Sequence, residues 1–309
     1  MGSISVKMAV LDASGCVCAS GYLESRGSLA DSIRTAMGSI KTQCQAQRIE
    51  ISGVGITGSG RKLASLLIGA DVVRNEVTAQ TLAALKLRPD VRSVIEIGGQ
   101  DSKVIILENG VPLWHNLNNL CAAGTGSFLS SQAYRLKVPV EELGDYAARS
   151  TRDVVISAKC AVFSESDMVH KAALGYKKED IIKGLCEGLA RNFINNVARN
   201  RPIESPTLFV GGVAANGGVV RALEKELGHA VIVPEEHKIT GCIGAALLAL
   251  KAEIKKTKFL GLDCVDGELR SESFVCEDCS NHCEIARFYT NGEACGHLNS
   301  RCGKWDGLR

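Results

Sequence analysis

An internal repeat constrains the fold of this chain more than any other feature. Residues 2–12 align with residues 98–108 at one constant offset, and the alignment matches a glycine, a lysine, a leucine and an acidic residue. Each copy then reaches a turn glycine, Gly15 or Gly110. A small polar loop, an apolar run and a glycine turn are typical of the second half of a β-hairpin. The repeat therefore predicts two related lobes in an α/β fold.

The two copies differ in what precedes the loop. An apolar strand at 94–97 leads into the second loop, whereas only Met1 precedes the first. We therefore expect either that the first strand of lobe one is missing from this sequence or that the sequence begins at the wrong start. A short loop between strands presents backbone N–H groups that can cradle a phosphate, although one such loop alone is also an ordinary β-turn.

A third glycine-rich segment lies nearer the carboxyl end. The pattern predicts a buried strand at 207–210, a tight loop at 211–218 and a helix at 219–227. Glycines let a backbone approach a flat ligand, and a helix N-terminus favours negative charge. The same pattern occurs in α/β proteins that bind no nucleotide, so this segment alone leaves both interpretations open.

Composition sets the broad class. The chain has 309 residues, 45% of them hydrophobic, which is enough for two compact units. Lysine and arginine number 36 against 34 acidic residues, so no electrostatic argument favours nucleic acid or an anionic membrane surface as a partner. No apolar run is long enough to span a membrane, and the first residues do not resemble a signal peptide, so we expect a cytoplasmic protein.

Cysteine usage points to metal or redox chemistry. The chain has 13 cysteines, which is a high count for a protein of the cytosol, where thiols stay reduced. Some are scattered along the chain, and the others crowd the segment 264–302. The crowding predicts a separate cysteine-rich tail.

Three motifs carry a family resemblance. They are Gly-Gly-Gln-Asp-Ser-Lys at 98–103, Asn-Asn-Leu-Cys-Ala-Ala-Gly-Thr-Gly-Ser-Phe-Leu at 118–129 and Cys-Ala-Val-Phe-Ser-Glu-Ser at 160–166. They resemble the ATP-dependent activators of 2-hydroxyacyl-CoA dehydratases and the related ATPase subunits of benzoyl-CoA reductase. The resemblance runs from residue 2 to about residue 258 and includes 55–61 and 75–79.

The resemblance implies a fold and a domain organisation. The fold would be two ribonuclease-H-like lobes of the actin, heat-shock chaperone and sugar-kinase superfamily. Lobe I would be 1–90, completed by a helix at 240–258, and lobe II would be 91–239. Residues 259–309 would form the cysteine-rich tail, similar to the segment that follows the ATPase module in larger, fused members.

The resemblance also implies an ATP site with bound magnesium. Its first phosphate loop would contain Gly2, Ser3, Ser5 and Lys7, its second Gly99, Gln100 and Asp101, and its adenosine side Gly211, Gly212, Ala214 and Asn216. Phosphoryl transfer to water needs a metal, donors to the phosphate oxygens and a positioned water. We expect Asp101 to hold hydrated magnesium, Gln100 to orient the attacking water and Lys7 to neutralise developing charge. Glu165 is a second candidate for positioning the water.

An iron–sulfur cluster is the second implied cofactor. The resemblance implies a homodimer in which Cys121 and Cys160 of both chains hold one shared 4Fe-4S cluster. Both cysteines are predicted to open helical segments, where a thiolate is stabilised, and twofold symmetry would supply the four thiolates that such a cluster needs. The alternative is that both are buried structural cysteines. The implied partners are a ferredoxin or flavodoxin upstream and an acyl-CoA dehydratase or reductase component downstream, in an anaerobic metabolism.

The tail raises a second metal question. Closely spaced and distant cysteines are combined as in zinc or iron–sulfur ligand sets, and the candidate ligands are Cys276, Cys279, Cys283 and Cys302. Unliganded reduced cysteines are the alternative. For the chain as a whole, the predicted function is an ATP-hydrolysing electron donor that activates a dehydratase or reductase. The competing hypothesis is a kinase-like or nucleotide-dependent binding protein of the same fold without a cluster.

Overall fold

A computed structural model of the chain describes residues 1–2, 4–25, 29–118, 122–157 and 160–306. The strands are β1 Ser5–Leu11, β2 Val17–Glu24, β3 Gly55–Ile56, β4 Val72–Val73, β5 Ser93–Ile97, β6 Ser102–Glu108, β7 Val111–Asn118, β8 Thr207–Val210, β9 Val231–Ile232, β10 Leu269–Val275, β11 Glu284–Thr290 and β12 Glu293–Leu298. The α-helices are α1 Leu29–Gln47, α2 Arg61–Ile68, α3 Glu76–Leu87, α4 Gly126–Leu136, α5 Leu143–Ala148, α6 Ala161–Ala173, α7 Lys178–Asn192, α8 Gly217–Leu227 and α9 Thr240–Lys251.

The chain divides into two compact units. Unit 1 combines Met1–Ala79 with Gly241–Arg309, and unit 2 is Gln80–Thr240. The sequence instead predicts a domain boundary at residue 90 and a separate tail at 259–309. In the structure the carboxyl-terminal residues belong to the same compact unit as the amino-terminal ones.

Unit 2 is built on a five-stranded sheet of order β7-β6-β5-β8-β9. The hairpins place β6 antiparallel to both of its neighbours, β5 and β7, whereas β8 runs parallel to β5 and β9 runs parallel to β8. The central strand β5 thus has a neighbour on each edge. Its residues Ile95 and Ile97 are fully buried, as expected for a strand that is covered on both faces.

Helix α7 supplies much of the core of unit 2. Its apolar residues recur every three or four positions, which puts them on one face of a helix. Ile181, Ile182, Leu185 and Leu189 are all buried in the main hydrophobic cluster together with β5 residues. The helix continues into a π-helical turn, Phe193–Val197.

In unit 1 the strands are distributed over separate small sheets. β1 and β2 form an antiparallel hairpin, and β3 pairs in parallel with β4. Helix α1 packs on the hairpin and buries Ile33, Met37 and Ile40. Gly55 allows β3 to lie close to α9, because a Cβ atom at this position would lie 1.9 Å from the carbonyl oxygen of Ala245 in α9.

The cysteine-rich segment forms an antiparallel sheet, β10-β11-β12, that is anchored to the rest of unit 1. Arg34 of α1 donates through Nε to Val265 O at 2.7 Å and through Nη2 to Gly267 O at 2.8 Å. The Asp71 carboxylate accepts from Lys258 N at 2.7 Å. These bonds explain why the segment folds against the amino-terminal residues. Among the residues described, no helix is both long and apolar enough to cross a membrane.

We expect Gly211→Ala to lower the free energy of unfolding by at least about 1–3 kcal/mol. Gly211 has φ +93°, and a Cβ atom there would lie 2.4 Å from Ile97 O. The matched control is Gly212→Ala, since no atom lies within 4 Å of its added Cβ. Urea denaturation of both variants tests this, and equal stability of the two would contradict the assignment of strain to Gly211.

Candidate functional site

The loop between β5 and β6 is a closed four-residue turn. Gly98 N donates to Asp101 O at 2.9 Å, so Gly99 and Gln100 lie at the tip. The first amides of α4 fix the outside of the turn, because Gly126 N donates to Gly98 O at 2.8 Å and Ser127 N donates to Gly99 O at 2.7 Å. The loop is therefore held on both sides.

Glycine is required where this loop is most crowded. A Cβ atom on Gly98 would lie 2.8 Å from Asp101 Oδ1, and one on Gly126 would lie 3.1 Å from both Gly98 O and Val213 Cγ2. Side chains at these positions would push the loop and α4 apart. The glycines thus keep the Asp101 carboxylate close against the loop backbone.

A buried ion pair lies directly behind the loop. Lys103 is only 2% exposed, and its Nζ lies 2.8 Å from Asp101 Oδ2 and 3.4 Å from Glu96 Oε2. Burial of a charge is costly unless it is paired, and here one ammonium serves two carboxylates. Neither Lys103 nor Glu96 is among the site residues that the sequence predicts. The available signal was the repeat itself, which aligns Lys103 with Lys7.

The predicted adenosine segment begins directly after β8. Gly211 N donates to His237 O at 2.8 Å, and His237 Nδ1 lies 2.9 Å from Gly211 O. Gly212 opens a 3-10 turn, Gly212–Ala215, in which Ala214 is buried. Asn216 caps α8, since its Oδ1 accepts from Gly218 N at 2.9 Å.

These segments meet at one end of the unit 2 sheet. Gly211 lies against Ile97, the last residue of β5, and Gly126 lies against Val213 and Gly98. The phosphate-loop candidate, the start of α4 and the 211–216 loop therefore share the carboxyl ends of β5 and β8. This edge of a parallel strand pair is where open α/β sheets bind ligands.

The two candidates for positioning water lie in different surroundings. Gln100 is exposed at the tip of the loop. Glu165 lies on α6, where its Oε1 is 2.9 Å from Arg135 Nη2 in a half-exposed ion pair. Of these two side chains, Gln100 is the one that belongs to the loop 98–101.

The first phosphate-loop candidate lies in unit 1. Gly2 N donates to Ser5 O at 3.0 Å, and a Cβ atom on Gly2 would lie 3.9 Å from Lys7 Nζ. Lys7 is half-buried with its ammonium 5.7 Å from the centre of the Tyr22 ring. Ser3 lies outside the described residues.

Cys160 occupies the N-cap position of α6. Its backbone oxygen accepts from Ser164 N and Ser164 Oγ, both at 2.9 Å, and the residue is half-buried. In the first turn of α6, Val162 and Phe163 are 68% and 62% exposed. Cys121 lies outside the described residues, directly before the 3-10 turn Ala122–Gly124, and that turn lies close to α6.

The tail cysteines have unlike surroundings. Cys276 and Cys283 are buried, whereas Cys279 and Cys302 are exposed. Cys276 Sγ lies 3.1 Å from Asp278 Oδ2 and accepts from Trp305 Nε1 at 3.3 Å. In the part of the chain that the structure describes, no three His, Cys, Asp or Glu side chains are grouped to hold a metal ion. The metal site in the tail stays a prediction.

Comparison with solved structures defines the class. The chain superposes on component A of (R)-2-hydroxyglutaryl-CoA dehydratase from Acidaminococcus fermentans with a TM-score of 0.75 and 33% identity, over 82% of this chain and 96% of that one. The activator of 2-hydroxyisocaproyl-CoA dehydratase from Clostridium difficile, solved with bound ADPNP, gives a TM-score of 0.73 and 32% identity, over 82% of this chain and 92% of that one. A glucokinase of the ROK family from Streptomyces griseus shares the fold alone, with a TM-score of 0.51 and 13% identity over 81% of this chain and 97% of that one. The fold is that of the actin-like ATPases.

Sequence comparison identifies the family. Residues 1–249 match the BadF/BadG/BcrA/BcrD ATPase family, and the chain belongs to it. The 2-hydroxyisocaproyl-CoA dehydratase activator of Clostridioides difficile is 37% identical over 65% of this chain and 75% of that protein. The (R)-2-hydroxyglutaryl-CoA dehydratase activating ATPase of Acidaminococcus fermentans is 40% identical over 64% of this chain and 75% of that protein. The resemblance found in the sequence motifs is confirmed.

We expect Lys103→Met to lower the free energy of unfolding by about 3–5 kcal/mol, because it leaves Asp101 and Glu96 without their shared cation. Adding Glu96→Gln and Asp101→Asn to that variant should recover part of the loss. Lys178→Met, at an exposed lysine, is the control and should stay within about 0.5 kcal/mol of the parent. Urea denaturation of the four proteins provides the measurement. A similar loss at Lys103 and Lys178 would show that the buried ion pair is not needed for stability.

Proposed function

We propose that this chain is an ATP-hydrolysing iron–sulfur electron donor that activates a 2-hydroxyacyl-CoA dehydratase or a related reductase. The observation that carries the proposal is the arrangement in unit 2. A rigid glycine loop presents Gln100 and Asp101 at the carboxyl end of β5, and Cys160 starts a helix that lies close to the turn after Cys121. The names of the similar proteins support the dehydratase-activating and ATPase parts of this proposal.

The loop 98–101 supports the ATPase half of the proposal. Backbone amides at a glycine turn, next to the start of α4, form a suitable surface for the terminal phosphates. Gln100 is exposed at the tip, where its amide can orient a water for attack on the terminal phosphorus. The adenosine side would be the loop at Gly211, Gly212, Ala214 and Asn216, in which Gly212 leaves open space beside the backbone.

Magnesium would be held through Asp101. One carboxylate oxygen, Oδ2, is fixed by Lys103 at 2.8 Å, and the other, Oδ1, faces the Gly98 backbone. An anchored carboxylate of this kind suits a hydrated magnesium ion, which keeps most of its waters and takes one or two carboxylates from the protein. The metal would neutralise charge on the transferred phosphoryl group.

The donor set fits a shared cluster. A thiolate at the N-terminus of α6 is favoured by the helix dipole, and thiolates are the ligands that iron–sulfur clusters use. The exposed apolar side chains of Val162 and Phe163 beside Cys160 suit a surface that is covered by a second copy. Cys121 and Cys160 from two chains would then complete four ligands for one 4Fe-4S cluster. When bound, the cluster supplies a one-electron donor.

The remaining assignments rest on this function. The acceptor would be the acyl-CoA dehydratase or reductase component, and a ferredoxin or flavodoxin would return the cluster to its reduced state. The tail, with Cys276, Cys279, Cys283 and Cys302, would be a zinc or second iron–sulfur module only if ligand binding rearranges these residues. No nucleic acid or membrane partner belongs to the proposal.

Gln100→Ala should slow ATP hydrolysis by about 100-fold while changing ADP affinity less than about twofold, because the amide would act only on the attacking water. Steady-state hydrolysis and ADP titration of the same preparation give the two numbers. Glu108→Ala, at the exposed far end of β6, is the matched control and should change neither. Equal losses of hydrolysis and ADP binding would make the loop a binding surface only.

Cys160→Ser should abolish the cluster, reducing iron from about two atoms per chain to near zero after anaerobic purification. It should also weaken the dimer, because each substitution removes two of four ligands from a symmetric site. Iron and sulfide analysis with analytical ultracentrifugation provides the readout. The control is Cys186→Ala, a buried thiol of the same unit, which should retain full iron. Full iron content in Cys160→Ser would refute the cluster assignment.

A further inference from the structure

The outward face of α6 carries apolar side chains. The helix buries Met168, whereas Val162, Phe163 and Val169 are exposed, as is Leu174, the residue that ends the helix. The four exposed positions recur at spacings of seven and eleven residues, which places them on one broad side of the helix. Large apolar side chains that are exposed together mark an interaction site.

The two ends of this face have different neighbours. Val162 and Phe163 lie beside Cys160, at the end that the proposed function gives to a second copy. Val169 and Leu174 follow Cys160 by nine and fourteen residues, which is about 14 and 21 Å along a helix axis. The far end of the face can therefore serve a different partner.

Four cationic residues adjoin Tyr176, in the turn between α6 and α7. Arg152 Cζ lies 5.5 Å from the centre of the Tyr176 ring, and Lys171 Nζ lies 5.5 Å from the same point. Lys177 and Lys178 follow Tyr176 in the chain, and both are exposed. We call Arg152, Lys171, Lys177 and Lys178 the cationic rim. An apolar centre beside a polar rim is typical of protein–protein interfaces.

A buried carboxylate fixes the part of the rim that comes from a different segment. Asp180 is fully buried, and its Oδ1 accepts from Ser150 Oγ at 2.9 Å, from Thr151 N at 2.9 Å and from Arg152 N at 3.0 Å. The backbone of Arg152 is therefore held against the first turn of α7. A residue that is fixed before binding loses less conformational entropy when a partner docks.

Folding does not explain the charge of the rim. Lys177 is the N-cap residue of α7 and Lys178 is its first residue, where the helix dipole favours negative charge over positive. Of the acids next to the rim in sequence, Asp153 is in an ion pair with a lysine of α7, Asp180 is buried and Glu179 is half-buried. The rim therefore keeps a positive charge that suits an acidic partner.

We propose that Val169, Leu174, Tyr176 and the cationic rim form a docking surface for a protein with an acidic face around an apolar centre. A second copy of the chain fits this surface poorly, because a twofold contact centred on it would set the rim against its own equivalent. Charge complementarity, by contrast, favours an acidic protein and speeds its association.

The role of this partner follows from where the surface lies. Cys160, the proposed cluster ligand, begins the helix whose other end carries the surface. Transient encounters between redox proteins use small interfaces that opposite charges steer together. The partner is accordingly the protein reductant of the cluster. This role rests on the proposed function, whereas the docking itself does not.

A bacterial ferredoxin with a net negative charge is the probe, and basic cytochrome c is its control. Lys177→Glu with Lys178→Glu should weaken ferredoxin binding at least about tenfold in about 50 mM salt, and about 0.5 M salt should reduce the difference to less than about threefold. Tm should not fall, because acids are favoured at the start of α7. Anaerobic titration calorimetry of the full chain gives the affinities, and cytochrome c should not bind the parent.

Two further variants separate charge from apolar contact. Lys255→Glu with Lys256→Glu, at two adjacent exposed lysines of unit 1, makes the same change in net charge and should leave the affinity within about twofold of the parent. Val169→Ser with Leu174→Ser should weaken ferredoxin binding about tenfold at both salt concentrations, because salt does not screen apolar contact. Both side chains are exposed, so Tm should stay unchanged.

Equal ferredoxin affinity of the parent and the rim variant would overturn the proposal. An equal loss in the unit 1 variant would also overturn it, because net charge alone would then explain the binding. Phosphatidylserine vesicles or duplex DNA that bind the rim more tightly than ferredoxin would assign it to a different polyanion. A chain that holds no iron but still binds ferredoxin through the rim would refute the electron-donor function and leave the docking surface standing.

Discussion

Unit 2 depends on the pairing of β5 along both of its edges. A strand with two neighbours satisfies its backbone hydrogen bonds inside the sheet, so it can be fully buried, as Ile95 and Ile97 are. Its carboxyl end then fixes where the next residues go. The turn at 98–101 folds back into β6, and the parallel neighbour β8 ends beside it and delivers Gly211 against Ile97. The candidate nucleotide loops are adjacent because their strands are.

The buried lysine links this framework to the chemistry of the loop. Lys103 projects from a strand whose neighbours in sequence, Ser102 and Val104, are also buried, so its charge has no access to bulk water. Such a cation is tolerated because carboxylates from β5 and from the loop reach it. The same contact restrains the carboxylate of Asp101. A substitution of Lys103 would therefore affect both the stability of the strand pair and the orientation of Asp101, the proposed metal ligand.

Local residue patterns in the sequence predict individual strands, turns and helices. The repeat predicted the hairpins at β1 and β6, and the strand, glycine turn and helix at 207–227 are confirmed. It could not reveal contacts made between distant residues. Arg34 donates hydrogen bonds to Val265 and Gly267 and so holds the cysteine-rich segment against α1. Neither segment has a residue pattern that predicts these bonds. Burial of Lys103 was also missed, because hydrophobic periodicity counts a lysine as exposed whatever its partners.

The duplicated lysines, Lys7 and Lys103, show how two copies of one loop can suit ligands of opposite charge. In unit 2 one ammonium faces two carboxylates, Asp101 and Glu96, so the loop retains a net negative charge that suits a cation. In unit 1 the repeat places Ser5 where unit 2 has Asp101, and Lys7 lies over the Tyr22 ring. That loop carries a positive charge that suits a phosphate.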